Sequence, residues 1–278
     1  WNGQWKERTI RITDVSHISS HTIFLLFFVF CFFFCAHTNT FAEDGMILYC
    51  KVGQDGTSVG DCPFAHYVRM VLEEKQLPYI LKPTLSDKKP QWLVDYYDGK
   101  MPALRHSKEC YVESSVIASY LDYFFINESK GQVSLTPTNV ELESQAEAAL
   151  EGFFPAIARY LKDTTTPKDE EELETLQHLR TKLQAVEDHL RSSSKDDQQQ
   201  EEPIFLVGPQ FTLLDCRIVP QLYHLDVGID GFHSGKPNLE QDYPTLYQYY
   251  SQCKERPSFQ TTTYPPSTVL WGWGNARK

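Results

Sequence analysis

Residues 46–74 read MILYCKVGQDGTSVGDCPFAHYVRMVLEE, and the fold follows from them outward. Met46 to Val52 has the apolar content and length of a short strand, and GQDGTSVGD is a glycine-rich turn. Cys62-Pro63-Phe64 then opens a helix with Val68, Val71 and Leu72 at helical spacing. Pro63 suits the first helical position, where its missing N–H is not needed. Pro78 ends that helix and Tyr79-Ile80-Leu81 forms a second strand. Leu85 to Tyr97 reads as a loop and short helix. Pro102-Ala103-Leu104 begins a third strand, which Ser107-Lys108 turns into Tyr111-Val112. Ser114 caps a helix carrying Val116, Ile117 and Leu121. This βαβ then ββα order predicts a thioredoxin-like domain over residues 46–130.

From Asn139 the character is helical only, with stretches expected at about 138–162, 169–192, 212–226 and 243–254. An all-helical domain over 136–278 therefore follows the first, and the fold class is α/β plus all-α. Residues 192–203, SSSKDDQQQEEP, carry almost nothing apolar and predict a mobile surface loop. The acidic TPKDEEELE of 166–174 reads as a solvated helix start, where the helix dipole favours acids.

The 278 residues carry a net charge of −11, with 41% hydrophobic and 23% charged residues. That is the composition of a soluble globular protein. The negative charge argues against nucleic acid as a partner, because phosphate binding needs clustered Lys and Arg. Seven cysteines without CxxC or zinc spacing argue against a disulfide framework and against a metal site. Thr22 to Ala36, TIFLLFFVFCFFFCA, is an apolar run of signal-peptide rather than bilayer-spanning length. The first methionine is Met46. Residues 1–45 are thus either a targeting leader, for the secretory route or a plastid, or upstream sequence outside the fold. Translation from Met46 would give a cytoplasmic protein.

Cys62 stands where a strand and turn deliver the chain into a helix N-terminus. Unpaired N–H groups and the helix dipole favour an anion there, so the sequence predicts a depressed thiol pKa and a nucleophilic thiolate. The alternative is a buried structural cysteine. Ala65 occupies the place of a resolving thiol, so a monothiol chemistry would draw its reductant from outside, glutathione being the obvious candidate. Pro102 entering a strand is a candidate cis proline that would expose the Met101 backbone to a peptide-like ligand, or an ordinary strand-initiating proline. Ser114 could hold a ligand carboxylate and Glu113 its ammonium group, or the two could be a simple cap. Thr212-Leu213-Leu214-Asp215 after Phe211 is a capping box with a structural role.

In this order the four elements resemble the glutathione-transferase fold. The segments GDCPFAHYVRMVLEEKQLPYILKPTLSDKKPQWL (60–93), FLVGPQFTLLDCRIVPQLYHL (205–225) and the tail from Ser258 resemble the dehydroascorbate reductases in particular. The resemblance implies reduction of dehydroascorbate by Cys62, followed by a mixed disulfide with glutathione. It places Lys51 and Asp61 beside both glutathione and dehydroascorbate, and Lys89, Met101, Pro102, Glu113 and Ser114 on glutathione. It also places Trp273 and His224 near the substrate. Lys51 has its own rationale, since a cation near Cys62 favours the thiolate. Ala65 departs from the family's Ser or Cys and Glu113 from its commoner Asp, and the 192–203 loop is longer. The branch implied is monomeric.

Two rival readings share the motif. An omega-like transferase or thioltransferase would use the same cysteine. VGQDGTSVGDCPF (52–64) also resembles the chloride intracellular channel proteins, whose membrane-inserting segment begins near CPF. Arg69, Glu73, Glu74 and Lys75 on the helix that follows argue against stable membrane insertion, because such charges are costly in lipid. A non-catalytic scaffold of the same fold is a third reading.

Overall fold

The computed structural model describes residues 45–126, 133–165, 173–193 and 205–278. The expected leader, the acidic stretch 166–172 and most of the 192–203 loop lie outside the described residues. The described residues pack as one unit.

Four strands form a mixed sheet: β1 (Met46–Lys51), β2 (Tyr79–Thr84), β3 (Ala103–His106) and β4 (Glu109–Val112), in the order β2-β1-β3-β4. β1 and β2 are parallel, joined by the crossover helix α1 (Pro63–Glu74). β3 runs antiparallel to β1 and pairs with β4 as a hairpin. Side chains alternate along β1 as a strand requires. Met46 and Leu48 enter the main core, while Tyr49 joins Leu93 and Ala103 on the other face. α2 (Gln91–Tyr97) covers that second face, with Trp92 edge-on to Tyr49 at 5.6 Å. α3 (Ser114–Phe124) closes the first.

The rest is helical: α4 (Val140–Ala149), α5 (Phe153–Lys162), α6 (Glu174–Ser193), α7 (Leu213–Phe232), α8 (Leu239–Asp242), α9 (Pro244–Lys254), α10 (Pro257–Thr262) and α11 (Pro266–Ala276). The single helix expected at 138–162 is two, broken at Gly152 with φ +70°. α7 runs six residues past the expected end and accommodates Pro220 in its interior. Two further helices follow residue 254, where none was expected. The capping box is present: the Asp215 carboxylate accepts from the Thr212 N–H and hydroxyl at 2.7 and 2.8 Å. It also accepts from the Leu206 N–H and the Tyr249 hydroxyl, which makes it a fully bonded core carboxylate.

Charged side chains of α1 and of its C-cap tie the helix to its neighbours. Arg69 donates to the Thr262 carbonyl at 2.6 Å, and Arg256 grips the Glu74 carboxylate through Nε and Nη2 at 2.8 and 2.7 Å. Lys75, wholly buried, pairs with Asp122 at 2.9 Å. These contacts fix the Cys62-bearing helix against α3 and the C-terminal helices. Among the described residues no helix is long and apolar enough to cross a membrane.

Candidate active site

The sheet register gathers the predicted ligand residues at one end. Lys51 closes β1 opposite Thr84 at the end of β2, and Tyr49 pairs with Ala103, which pairs with Val112. Met101-Pro102 before β3, Glu113-Ser114 after β4, Lys89 beyond β2 and the loop to Cys62 therefore emerge on the same edge. The C-terminal end of parallel strands beside a helix N-terminus is where α/β sheets bind ligands.

Between β1 and Cys62 the chain makes a closed loop. The Asp55 carboxylate accepts from the N–H groups of Thr57 and Ser58, and Val52 bridges Val59. Gly60 then returns the chain onto β1, its N–H donating to the Lys51 carbonyl at 2.7 Å. A Cβ at that position would lie 2.6 Å from the Val52 carbonyl oxygen, so only glycine permits so close an approach. That approach sets Asp61 within 2.7 Å of the Lys51 ammonium.

Cys62 is the N-cap of α1, with extended backbone (φ −81°, ψ 110°) and Pro63 in the first turn. Burial pushes its thiol above the ordinary value, against the downward pull of the Ala65 and Phe64 N–H groups; Asp61 adds to the rise and Lys51 opposes it. The expectation of a depressed pKa is thus corrected. The helix end acts as predicted, but burial and the neighbouring carboxylate outweigh it.

Met101-Pro102 is a cis peptide, the first of the two readings its sequence allowed. Among the described residues the Met101 main chain has no hydrogen-bond partner, which leaves it available to a peptide-like ligand. The cap after β4 is shifted by one residue: Glu113 is the N-cap and Ser114 the first residue of α3, and no side chain caps the helix. The hydroxyl-cap role expected of Ser114 is therefore corrected, while its N–H remains one of the unpaired donors at the helix start. Glu113 holds φ +67°, a backbone region that L residues seldom adopt and that costs roughly 1–3 kcal/mol. Its exposed carboxylate pairs with Lys100 at 3.0 Å, a partner not foreseen from sequence. The Lys89 side chain lies along Gly99, on the same edge.

The C-terminal helices approach from the other side. Trp271 of α11 lies beneath the Lys51 ammonium, 5.5 Å from ring centroid to Nζ. Gly272 lies so close to Asp61 that a Cβ there would meet its Oδ2 at 1.6 Å. Trp273 and His224, both buried, meet each other: the indole N–H donates to His224 Nδ1 at 3.0 Å. His224 Nε2 is 2.7 Å from the Tyr264 hydroxyl. Sequence reading did not single out Tyr264, Trp271 or Gly272, because nothing local marks a tail residue that tertiary packing brings to His224, Lys51 or Asp61. Among the described residues no group of three or more His, Cys, Asp or Glu side chains is placed to hold a metal ion.

A cysteine at the start of α1 and a cis proline opening β3, in a small mixed sheet followed by a helical half, are the arrangement of the glutathione-transferase fold. The N-terminal domain profile of the glutathione S-transferases matches residues 61–123 and their C-terminal domain profile residues 145–251. Together these cover more than half of the chain, which belongs to the glutathione S-transferase family. Within that family it is similar to glutathione S-transferase DHAR2 of Arabidopsis thaliana, 28% identical over 77% of this chain and 90% of that one. It is also similar to human chloride intracellular channel protein 3, 26% identical over 66% of this chain and 78% of that one. The crystal structure of Chlamydomonas reinhardtii dehydroascorbate reductase shares the fold, with a TM-score of 0.64 at 24% identity over 84% of this chain and all of that one.

Proposed function

We propose that the protein is a glutathione-dependent dehydroascorbate reductase with Cys62 as its nucleophile. The observation that carries this reading is the convergence on one sheet edge of Cys62, the Lys51–Asp61 pair and the unpartnered Met101 backbone. A tripeptide fits that edge: its backbone pairs with Met101, and its charged ends meet Lys89, Glu113 and the start of α3. The likeness to glutathione S-transferase DHAR2 and to the Chlamydomonas dehydroascorbate reductase supports the same substrate.

The Cys62 thiolate adds to a carbonyl carbon of dehydroascorbate, and the carbonyl π pair moves to oxygen. Water then attacks the sulfur, the C–S pair returns to carbon, and ascorbate leaves with Cys62 as sulfenic acid. One glutathione thiol displaces that oxygen as water and forms a mixed disulfide. A second attacks the disulfide, releasing oxidised glutathione and the Cys62 thiol. Two glutathiones thus supply the two electrons and two protons that ascorbate gains. Lys51 sits where it stabilises each thiolate.

The direct test is ascorbate formation from dehydroascorbate, with and without glutathione, followed by its ultraviolet absorbance. Turnover well above the spontaneous reaction is expected; a folded protein that adds nothing to the spontaneous rate would reject the reading. Gly272→Ala probes the geometry. Its methyl would push the Asp61 carboxylate off Lys51, lowering glutathione-dependent turnover on the order of tenfold to a hundredfold. The thermal midpoint should move little, because what must give way is the Asp61 carboxylate and no backbone. Unchanged turnover would mean that the Lys51–Asp61 pair has no part in catalysis.

A further inference from the structure

The hydrogen bonds at His224 have a fixed direction. An indole N–H can only donate, so His224 Nδ1, 3.0 Å from Trp273 Nε1, is an acceptor and carries no proton. Burial holds the His224 imidazole down to about 4, so the ring is neutral near pH 7 and its one proton is on Nε2. That proton is donated to the Tyr264 oxygen at 2.7 Å. The Tyr264 hydroxyl proton must then point elsewhere, and among the described residues it has no acceptor. Tyr264 is buried, and a buried O–H without an acceptor is costly.

The neighbourhood says where that proton is used. The Tyr264 backbone is held by the Tyr223 hydroxyl, which donates to its carbonyl at 2.5 Å. His66, one turn along α1 from Cys62, lies with its ring 5.2 Å from the Tyr264 ring, and among the described residues neither of its nitrogens has a hydrogen-bond partner. Burial raises the Tyr264 pKa well above its ordinary value, and the next influences are Cys62 and then Asp61. The hydroxyl therefore keeps its proton, and the His66 ring beside it belongs to the turn that Cys62 opens, the His66 N–H donating to the Cys62 carbonyl at 3.0 Å.

We propose that Tyr264 is a catalytic hydrogen-bond donor in the reaction at Cys62. Its O–H, aimed by Trp273 through His224, meets the dehydroascorbate oxygen that takes up the π pair when the Cys62 sulfur bonds to the carbonyl carbon. No proton need leave Tyr264, since a hydrogen bond to the developing alkoxide suffices. Trp273 and His224 act as positioning residues, holding the tautomer that keeps the Tyr264 proton free. This rests on the reductase reading and names the group that serves it.

The test compares wild type, Tyr264→Phe, Trp273→Phe and the double variant, after their thermal midpoints have shown each to be folded. Two quantities are measured: kcat/KM for dehydroascorbate at saturating glutathione, and the rate of Cys62 alkylation by iodoacetamide. Tyr264→Phe should lower kcat/KM on the order of a hundredfold and change alkylation by less than about twofold, because alkylation builds no charge on an oxygen. Trp273→Phe frees Nδ1 to carry the imidazole proton, so Nε2 can accept from Tyr264 and the donor is lost in the same way. The double variant should then be no worse than Tyr264→Phe alone. Wild-type kcat/KM in Tyr264→Phe, a parallel fall in alkylation, or losses that multiply in the double variant would each overturn the donor role while leaving the reductase standing. An inactive wild-type protein would overturn both.

Discussion

Replacing Cys62 with either serine or alanine should reduce glutathione-dependent ascorbate formation to the spontaneous rate. Serine is the sharper test. Its hydroxyl would keep the N-cap position and could accept from the same Phe64 and Ala65 N–H groups, so the fold around α1 has no reason to change. What it lacks is an accessible anion, since an alkoxide lies far above any pH at which the protein is folded, whereas a thiolate does not. The buried cysteines cannot stand in. Cys50, Cys216 and Cys253 are buried, and burial pushes all three thiols up, Cys50 to about 12. Iodoacetamide should accordingly label Cys62 before these three, and its rate should climb with pH through the alkaline range, as the upward balance at Cys62 requires. Cys110→Ser, on the hairpin strand β4, should keep the activity. Turnover surviving in Cys62→Ala would move the nucleophile elsewhere and reject the mechanism.

What the sequence made legible was local. The strand–turn–helix delivery of Cys62 and the Thr212–Asp215 box each depend on a few adjacent residues and stand as read, and Pro102 took the cis form, one of the two readings open to it. Boundaries that depend on tertiary packing did not show. Gly152 breaks one helical pattern in two without a gap in apolar spacing, and α7 continues past residue 226 because its flanks are buried against α1 and α11. The Cys62 thiol is the most instructive case. A helix N-terminus is visible in sequence, but the burial and the Asp61 carboxylate that outweigh it depend on how the closed loop and α11 fold over it. Trp273 and His224 were placed near the substrate by resemblance. The structure bonds their nitrogens to each other and brings the Tyr264 hydroxyl, which no motif marks, onto His224.

Lys75→Met should destabilise the protein by about 3–5 kcal/mol, a large part of the roughly 5–15 kcal/mol that holds a domain folded. The Lys75 ammonium is wholly buried at the end of α1, and its partners are the Asp122 carbonyl at 3.2 Å, Asp122 Oδ1 at 2.9 Å and the Val133 carbonyl at 2.9 Å. Asp122 in turn accepts from the N–H groups of Leu135 and Thr136 and from the hydroxyls of Ser134 and Thr136. The pair therefore ties the Cys62 helix to α3 and to the segment that leads into the helical half. Methionine fills the space but leaves a buried carboxylate without its cation, which is the costly way to break such a pair. The sign of the pH dependence follows from Asp122. Burial pushes its carboxyl up, but the Leu135 N–H, Lys75 and Thr136 outweigh it and hold it below the ordinary range. Its contribution is thus present above the unfolded carboxyl value of about 3.9 and is lost as pH falls through the folded value. Removing Lys75 takes away part of that downward hold. The gap between wild type and Lys75→Met in urea unfolding should be full between about pH 5 and 7 and narrow below about pH 4, as Asp122 becomes protonated in both. A gap that is small at neutral pH would show that the hydrogen bonds from 134–136 hold Asp122 without the cation. One that does not narrow in acid would show that the lost packing of the lysine stem, rather than its charge, sets the cost.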